Sequence, residues 1–344
     1  MIEDFELAWS EIRGGPPGLL FQAGSISKPV TALAALELAA RGEVDLDADV
    51  NGRLTSWQLP GPPGVSLRQL LGHTAGLGVP FYPGYTQGAA RPTLRQSLDG
   101  EPPAATKPVR ADAAAGGRFR YSGGGYAVVQ QLIADVTGQP FGEAAQALVL
   151  GPLGMTSSTF AQPLPPDLRP LAARPDWHVY PESAAAGLWT TPEDLARFAG
   201  AVAAAAAGSS RAAAGSSPAA GGGGPVAGGG AAALLVSDRT AVPVRGEWLI
   251  LPLLGVRRPR SCGLGMFGFG DRRFGHVGGA ASFFSVLVAS VRDGGGAVVM
   301  TAANASPFPF RLLRAVSDEQ GWTGFRPAGW RQLHDLRAAI GSRP

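Results

Sequence analysis

The chain has 344 residues, of which 45% are hydrophobic and 16% charged, with a net charge of +3. That length buries a sizeable core in one large domain or two, and no lysine or arginine cluster marks a nucleic-acid surface. The single cysteine, Cys262, excludes an internal disulfide framework, and no apolar run is long enough to form a transmembrane segment. Residues 1–4 do not read as a signal peptide, so the chain as written is expected in the cytoplasm. Residues 5–9 alternate weakly and predict a strand; residues 13–18, rich in glycine and proline, predict a loop. A helix is predicted from about Ser25 through Leu38, ending at Arg41-Gly42, a basic last turn followed by glycine. Pro29 fits its first turn.

Ser66 is a predicted N-cap for residues 67–71. Residues 78–117, rich in glycine and proline with little periodicity, read as irregular substrate-side loops. Tyr126, Val129, Leu132, Ile133 and Val136 then form one helical stripe, closed by Thr137-Gly138. Thr191-Pro192-Glu193-Asp194 is a helix start. Residues 203–233 are almost wholly alanine, glycine, serine and proline, and the expectation is a disordered insertion. Short apolar runs at 247–254, 263–269, 281–291 and 296–301 predict strands, with Asp293-Gly294 as a hairpin signal. Residues 310–316 and 330–340 read as closing helices. A helical middle bracketed by strands gives an α+β arrangement. The expected division is a sheet domain from residues 1–60 and 234–344, and a helical domain from 61–202.

Ser25 and Lys28 are three residues apart, one turn from each other on one helical face. An amine held there can take the proton of the hydroxyl and make it a usable nucleophile. Free N–H groups at such a helix start can stabilise an oxyanion. Lys28 and Lys107 are the chain's lysines, against many arginines. Arginine cannot act as a base, so a lysine at this spacing is less ordinary than surface charge. A Ser-x-x-Lys alone remains a common coincidence, and Ser25 as a plain helix cap is the competing reading.

Further segments change that balance: Leu70-Leu71-Gly72-His73-Thr74-Ala75-Gly76-Leu77, Tyr121-Ser122-Gly123, Gly151-Pro152-Leu153-Gly154-Met155-Thr156, Gly187-Leu188-Trp189-Thr190-Thr191 and His276-Val277-Gly278. With Ser25-Ile26-Ser27-Lys28 they resemble, in the correct order, the serine β-lactamase and penicillin-binding protein superfamily, on its class C, esterase and D-aminopeptidase side. The resemblance runs from about Leu20 to Ala303. It implies an antiparallel sheet flanked by helices with an inserted, mostly helical domain, here without the family's N-terminal helix and first strand. Either the true start lies further upstream, where an export signal could stand, or the sheet lacks a strand; the first is the expectation, and it leaves the compartment open.

By resemblance, Ser25 is the acylated nucleophile and Lys28 its general base. Tyr121 passes the proton to the leaving group, and the backbone N–H groups of Ser25 and Gly279 hold the oxyanion. A lysine cation beside Tyr121 would lower its pKa into a useful range. His276 stands where relatives carry a cationic lysine, ahead of Gly278, and Gly123 stands where they carry an asparagine. Histidine is mostly neutral at pH 7 and is expected to protonate below about pH 6; glycine brings no amide donor. The expected function is therefore a serine hydrolase acting on small-molecule carboxylic esters or small amides. Alternatives are β-lactamase, DD-peptidase or D-aminopeptidase activity, or a silent peptide- or peptidoglycan-binding relative. His73 is expected to fasten a loop. His178 and His334 lack metal-ligand spacing, so neither metal nor cofactor is expected.

Overall fold

The computed structural model describes residues 1–111, 118–213, 229–237, 240–242, 259–269, 272–303 and 308–320. Its centre is an antiparallel sheet of eight strands: β1 (Ile2–Glu3), β2 (Glu6–Leu7), β7 (Thr240–Ala241), β8 (Ser261–Cys262), β9 (Phe267–Gly268), β10 (Arg273–Ala280), β11 (Phe283–Ser290) and β12 (Gly296–Thr301). Their spatial order is β2-β1-β12-β11-β10-β9-β8-β7. Two small pairs lie outside it: β3 (Phe21–Gln22) with β6 (Trp189–Thr190), and β4 (Tyr85–Thr86) with β5 (His178–Val179).

The helices are α1 (Ser27–Ala40), α2 (Leu67–Leu71), α3 (Leu94–Asp99), α4 (Gly123–Thr137), α5 (Phe141–Ala145), α6 (Ser183–Ala186), α7 (Pro192–Ala213), α8 (Gly229–Ser237) and α9 (Phe308–Glu319). The sequence explains their ends. Ser66 and Gln69 form a reciprocal capping box on α2. Gly138 closes α4 at φ +66, where a Cβ would be strained. Thr191 Oγ1 accepts from the N–H of Asp194 at the start of α7.

Four sequence expectations change. Residues 5–9 do not form one strand; the chain turns at Asp4 and Phe5, both at positive φ, so that β1 and β2 make a tight hairpin. Within the expected loops of 78–117 lies α3, held by a capping box between Thr93 and Gln96. The insertion at 203–233 is helical at both ends, where it continues α7 and begins α8. Ala203, Ala206, Ala207 and Ala231 to Ala233 are buried, because alanine pairs high helix propensity with a surface that admits close helix contact. Finally, the strand expected at 263–269 is cut to β9, because residues 263–266 turn the chain between β8 and β9, whereas the strand expected at 281–291 is β11. Ala281, at φ +41, turns the chain between β10 and β11, a turn that no Asn-Gly or Asp-Gly pair announces. The expected strand at 247–254 and helix at 330–340 lie outside the described residues.

One apolar cluster runs from Ile2 through α1, α4, α7 and α8 to Leu287 on β11. It crosses the expected division between sheet and helical domains. That shared core fixes α1, which carries the Ser25 turn, against both. No helix among the described residues is long and apolar enough to cross a membrane.

Candidate active site

The chain reaches Ser25 from β3, whose pairing with β6 sets the direction of entry. A single 3-10 turn, Gly24–Ile26, then leads into α1. Ser27 locks that turn: its hydroxyl donates to the Gly24 carbonyl at 2.6 Å and accepts from the Leu188 N–H at 2.9 Å. Ser27 is fully buried and spent on structure, whereas Ser25 is partly exposed. The geometry thus commits Ser27 to the turn and leaves the Ser25 hydroxyl facing Lys28.

Lys28 Nζ lies 3.1 Å from Ser25 Oγ and donates to the Ala185 carbonyl at 2.8 Å. It also sits 5.0 Å from the ring centroid of Tyr121 and 5.8 Å from that of Tyr126. The side chain is buried, and no carboxylate pairs with it among the described residues. Burial penalises the ammonium and pushes its pKa down to about 7. An amine so poised is substantially neutral at physiological pH, with one N–H committed to Ala185 and its lone pair available to the Ser25 hydroxyl.

Tyr121 is buried in an aromatic cluster, 4.5 Å from the His73 ring, 6.3 Å from Phe267 and 6.4 Å from His276. His73 is the fastener expected. Its Nδ1 accepts from the Ser122 N–H at 3.2 Å, and its carbonyl accepts from the Arg120 N–H at 2.7 Å. Burial, with Lys28 next in effect, holds its pKa well below the usual value, so it is neutral there.

Strand β10 closes the site against the Ser25 turn at near-backbone contact. A Cβ on Gly278 would lie 1.9 Å from the Ala23 carbonyl oxygen, and one on Gly24 would lie 2.5 Å from that of Gly279. Gly24 is also at φ +53. Gly279 itself faces open space.

The two departures from the family pattern are resolved differently. Gly123 brings nothing polar to the site: its N–H donates to the Pro80 carbonyl, and a Cβ there would already meet the Tyr82 ring at 3.3 Å. His276 is buried, and its Nδ1–H donates to the Val277 carbonyl at 2.8 Å. That tautomer leaves Nε2 as a bare acceptor, which is buried without a hydrogen-bond partner. Burial first, and Lys28 second, lower its pKa to about 3. The expectation that it protonates below about pH 6 is therefore corrected: a cation there would sit dry beside Lys28.

Sequence reasoning missed the Ala185 carbonyl, because a backbone acceptor leaves no side-chain signal. It also missed Gln130, which holds the segment before Ala185. Tyr82 and Phe81 carried no motif either. A cleft of about 440 Å³ lies beyond the end of β10, lined in part by Asp176, Trp177, His178 and Ser282, and contains none of the expected site residues. Among the described residues no group of three or more His, Cys, Asp or Glu side chains is placed to hold a metal ion.

The sequence profile of the Beta-lactamase family matches residues 12–320. Esterase EstB of Burkholderia gladioli is 34% identical over 155 residues, which cover 42% of this chain and 40% of that protein. The matched stretch is thus well under half the length of this curated relative. Among solved structures, the octameric penicillin-binding protein homologue from Pyrococcus abyssi superposes with a TM-score of 0.69 at 19% identity, covering 100% of this chain and 77% of that one. D-amino acid amidase from Ochrobactrum anthropi SV3 gives 0.64 at 18% identity, covering 90% and 88%. The β-lactamase/D-alanine carboxypeptidase from Yersinia pestis gives 0.64 at 16%, covering 88% and 84%. At such identities these structures speak for the fold, and the profile, spanning most of the chain, speaks for the family. The chain belongs to the Beta-lactamase family.

Proposed function

We propose that the protein is a serine hydrolase that cleaves carboxylic esters or small amides through an acyl-enzyme on Ser25. The observation that carries this reading is Lys28: a buried amine with a pKa of about 7, placed 3.1 Å from the Ser25 hydroxyl. A general base is most effective when its pKa lies near the working pH. In the first step Ser25 Oγ attacks the carbonyl carbon and its proton passes to Lys28 Nζ. The C–O or C–N bond to the leaving group then breaks; Tyr121 delivers its proton to the departing oxygen or nitrogen and regains one from Lys28, which gives up the proton it took from Ser25 and is neutral again. Water repeats the sequence to release the acid. The N–H groups of Ser25 and Gly279 are assigned to the oxyanion. The close approach of β10 to the Ser25 turn supports that assignment.

Ester rather than β-lactam specificity is supported by two residues and one relative. His276 is neutral and offers an acceptor, so it gives no cation to a substrate carboxylate. Gly123 offers no amide, and the 155-residue match is to an esterase. Labelling with a fluorophosphonate, then mass spectrometry of the peptide, should place the adduct on Ser25. Ser25→Ala should lose turnover of nitrophenyl butyrate by a factor on the order of 10⁶. Nitrophenyl butyrate should exceed nitrocefin by at least about 10²-fold in kcat/KM, the worth of a lost charge-assisted contact. Because His276 does not titrate near neutrality, that gap should hold from pH 5 to 8. Nitrocefin as the better substrate would replace the esterase reading with a lactamase one, and an unlabelled Ser25 with no turnover would favour a binding protein.

A further inference from the structure

Residues 78–83 run beside Tyr121 and are held by backbone and side-chain hydrogen bonds. The carbonyls of Val79 and Pro80 accept from the N–H groups of Gly124 and Gly123 at 2.9 and 3.0 Å. Ser122 Oγ donates to the Gly78 carbonyl at 2.6 Å, and Arg120 Nη1 to that of Gly76 at 3.0 Å. The free N–H groups at the start of α4 are thus used to grip a loop. Val79 within it stands at φ +55, a conformation a β-branched residue rarely adopts. Strain of this kind persists only where the surroundings enforce it, and it clusters at functional sites.

What the strained turn achieves is the placement of two consecutive aromatic rings. Tyr82 is 8% exposed and fills the space that a side chain at position 123 would take. Phe81 is 54% exposed, yet its ring lies 5.6 Å from that of Tyr121 at an angle of 39°. A solitary exposed phenyl is unremarkable on a surface. This one is fixed on a pinned backbone, and its exposed area flanks the tyrosine assigned to proton transfer.

We propose that Phe81 is a specificity residue: an apolar wall, backed by Tyr82, that selects esters carrying an aryl or comparably bulky apolar group next to the scissile bond. The inference rests on the hydrolase reading above. It replaces polar recognition at position 123 with apolar burial, since a substrate group laid against Phe81 removes both surfaces from water.

The test is kcat/KM, followed by base uptake at constant pH, for methyl acetate, methyl phenylacetate and benzyl acetate. The first is the reference; the other two carry the ring on the acyl and the alcohol side. The unmodified protein should favour one of the aromatic esters over methyl acetate. Phe81→Ala should lower that selectivity ratio about tenfold, chiefly through KM, because contacts with a non-reacting group contribute uniform binding. Phe81→Leu should restore part of it. Phe81 is exposed, so these variants should fold. A ratio unchanged within twofold in Phe81→Ala, with Ser25 still labelled by the fluorophosphonate, overturns the wall alone. No turnover of any ester, with Ser25 unlabelled, overturns the hydrolase reading and the wall with it.

Discussion

Lys28 shows how one side chain links stability to chemistry. Its folded pKa of about 7 lies below its ordinary value of 10.5, and burial is the cause. Between those two values the unfolded chain carries a proton that the folded chain lacks. Stability must therefore rise with pH across that window, by up to about 1.4 kcal/mol per unit for one full proton. Below pH 7 both states are protonated and the cost of the buried ammonium is fully present. Denaturant unfolding between pH 7 and 10 should show this slope, and Lys28→Met should flatten it. If Lys28 is the base proposed above, the same titration gives an acidic limb near pH 7 in kcat/KM, because the amine must be neutral to accept the Ser25 proton. An unfolding free energy equally pH-dependent in Lys28→Met would contradict the burial argument. His276 acts lower on the scale: its folded pKa of about 3 lies below the usual 6.5, so its contribution is lost as pH falls through that interval.

At the scale of elements, α4 and α6 cooperate to aim that lysine. Gln130 on α4 donates from Nε2 to the Pro181 carbonyl at 2.9 Å and accepts at Oε1 from the Ala184 N–H at 3.0 Å. Thr31 on α1 donates to the Ala184 carbonyl at 3.0 Å. The next carbonyl, of Ala185, is the one that holds Lys28 Nζ. Gln130→Ala leaves two backbone groups unpaired in a buried place, at a cost of about 1–3 kcal/mol. If Gln130 positions Lys28, the variant should also lower kcat and move the acidic limb of the pH profile. Gln130→Glu, which keeps the acceptor and loses the donor, should recover part of the rate. A lower melting temperature with an unmoved limb and unchanged kcat would make the clamp purely structural.

Across the whole molecule, the candidate site exists because the sheet and the α1 turn meet without side chains between them. We propose that the site lies where the sheet unit, residues 1–60 and 234–344, meets the helical unit, residues 61–202. Gly278→Ala tests that contact, since its Cβ would lie 1.9 Å from the Ala23 carbonyl oxygen. The strand or the turn must retreat, which should cost about 1–3 kcal/mol of stability. A displacement of the order of 1 Å between Ser25 and Gly279 should lower kcat about 10²-fold. Full activity in a stable Gly278→Ala protein would show that β10 takes no part in the chemistry.

Much was legible in the sequence because it is written in local chemistry. Ser66 with Gln69, Thr137-Gly138 and Thr191 to Asp194 mark helix ends through bonds that span four residues or fewer. Ser25 and Lys28 meet by helical spacing alone, and the ordered motifs pointed to the family that residues 12–320 match. Tertiary structure decided what depends on distant neighbours. Ala203, Ala206, Ala207 and Ala231 to Ala233 look like filler until another helix lies against them; burial by packing made them core. Ser27 is committed to the turn by its bonds to Gly24 and from Leu188, the latter far along the chain, which no local pattern announces. His276 is an ordinary histidine in sequence and, in place, an acceptor neutral down to about pH 3, because desolvation and a nearby lysine belong to the fold and not to the residue.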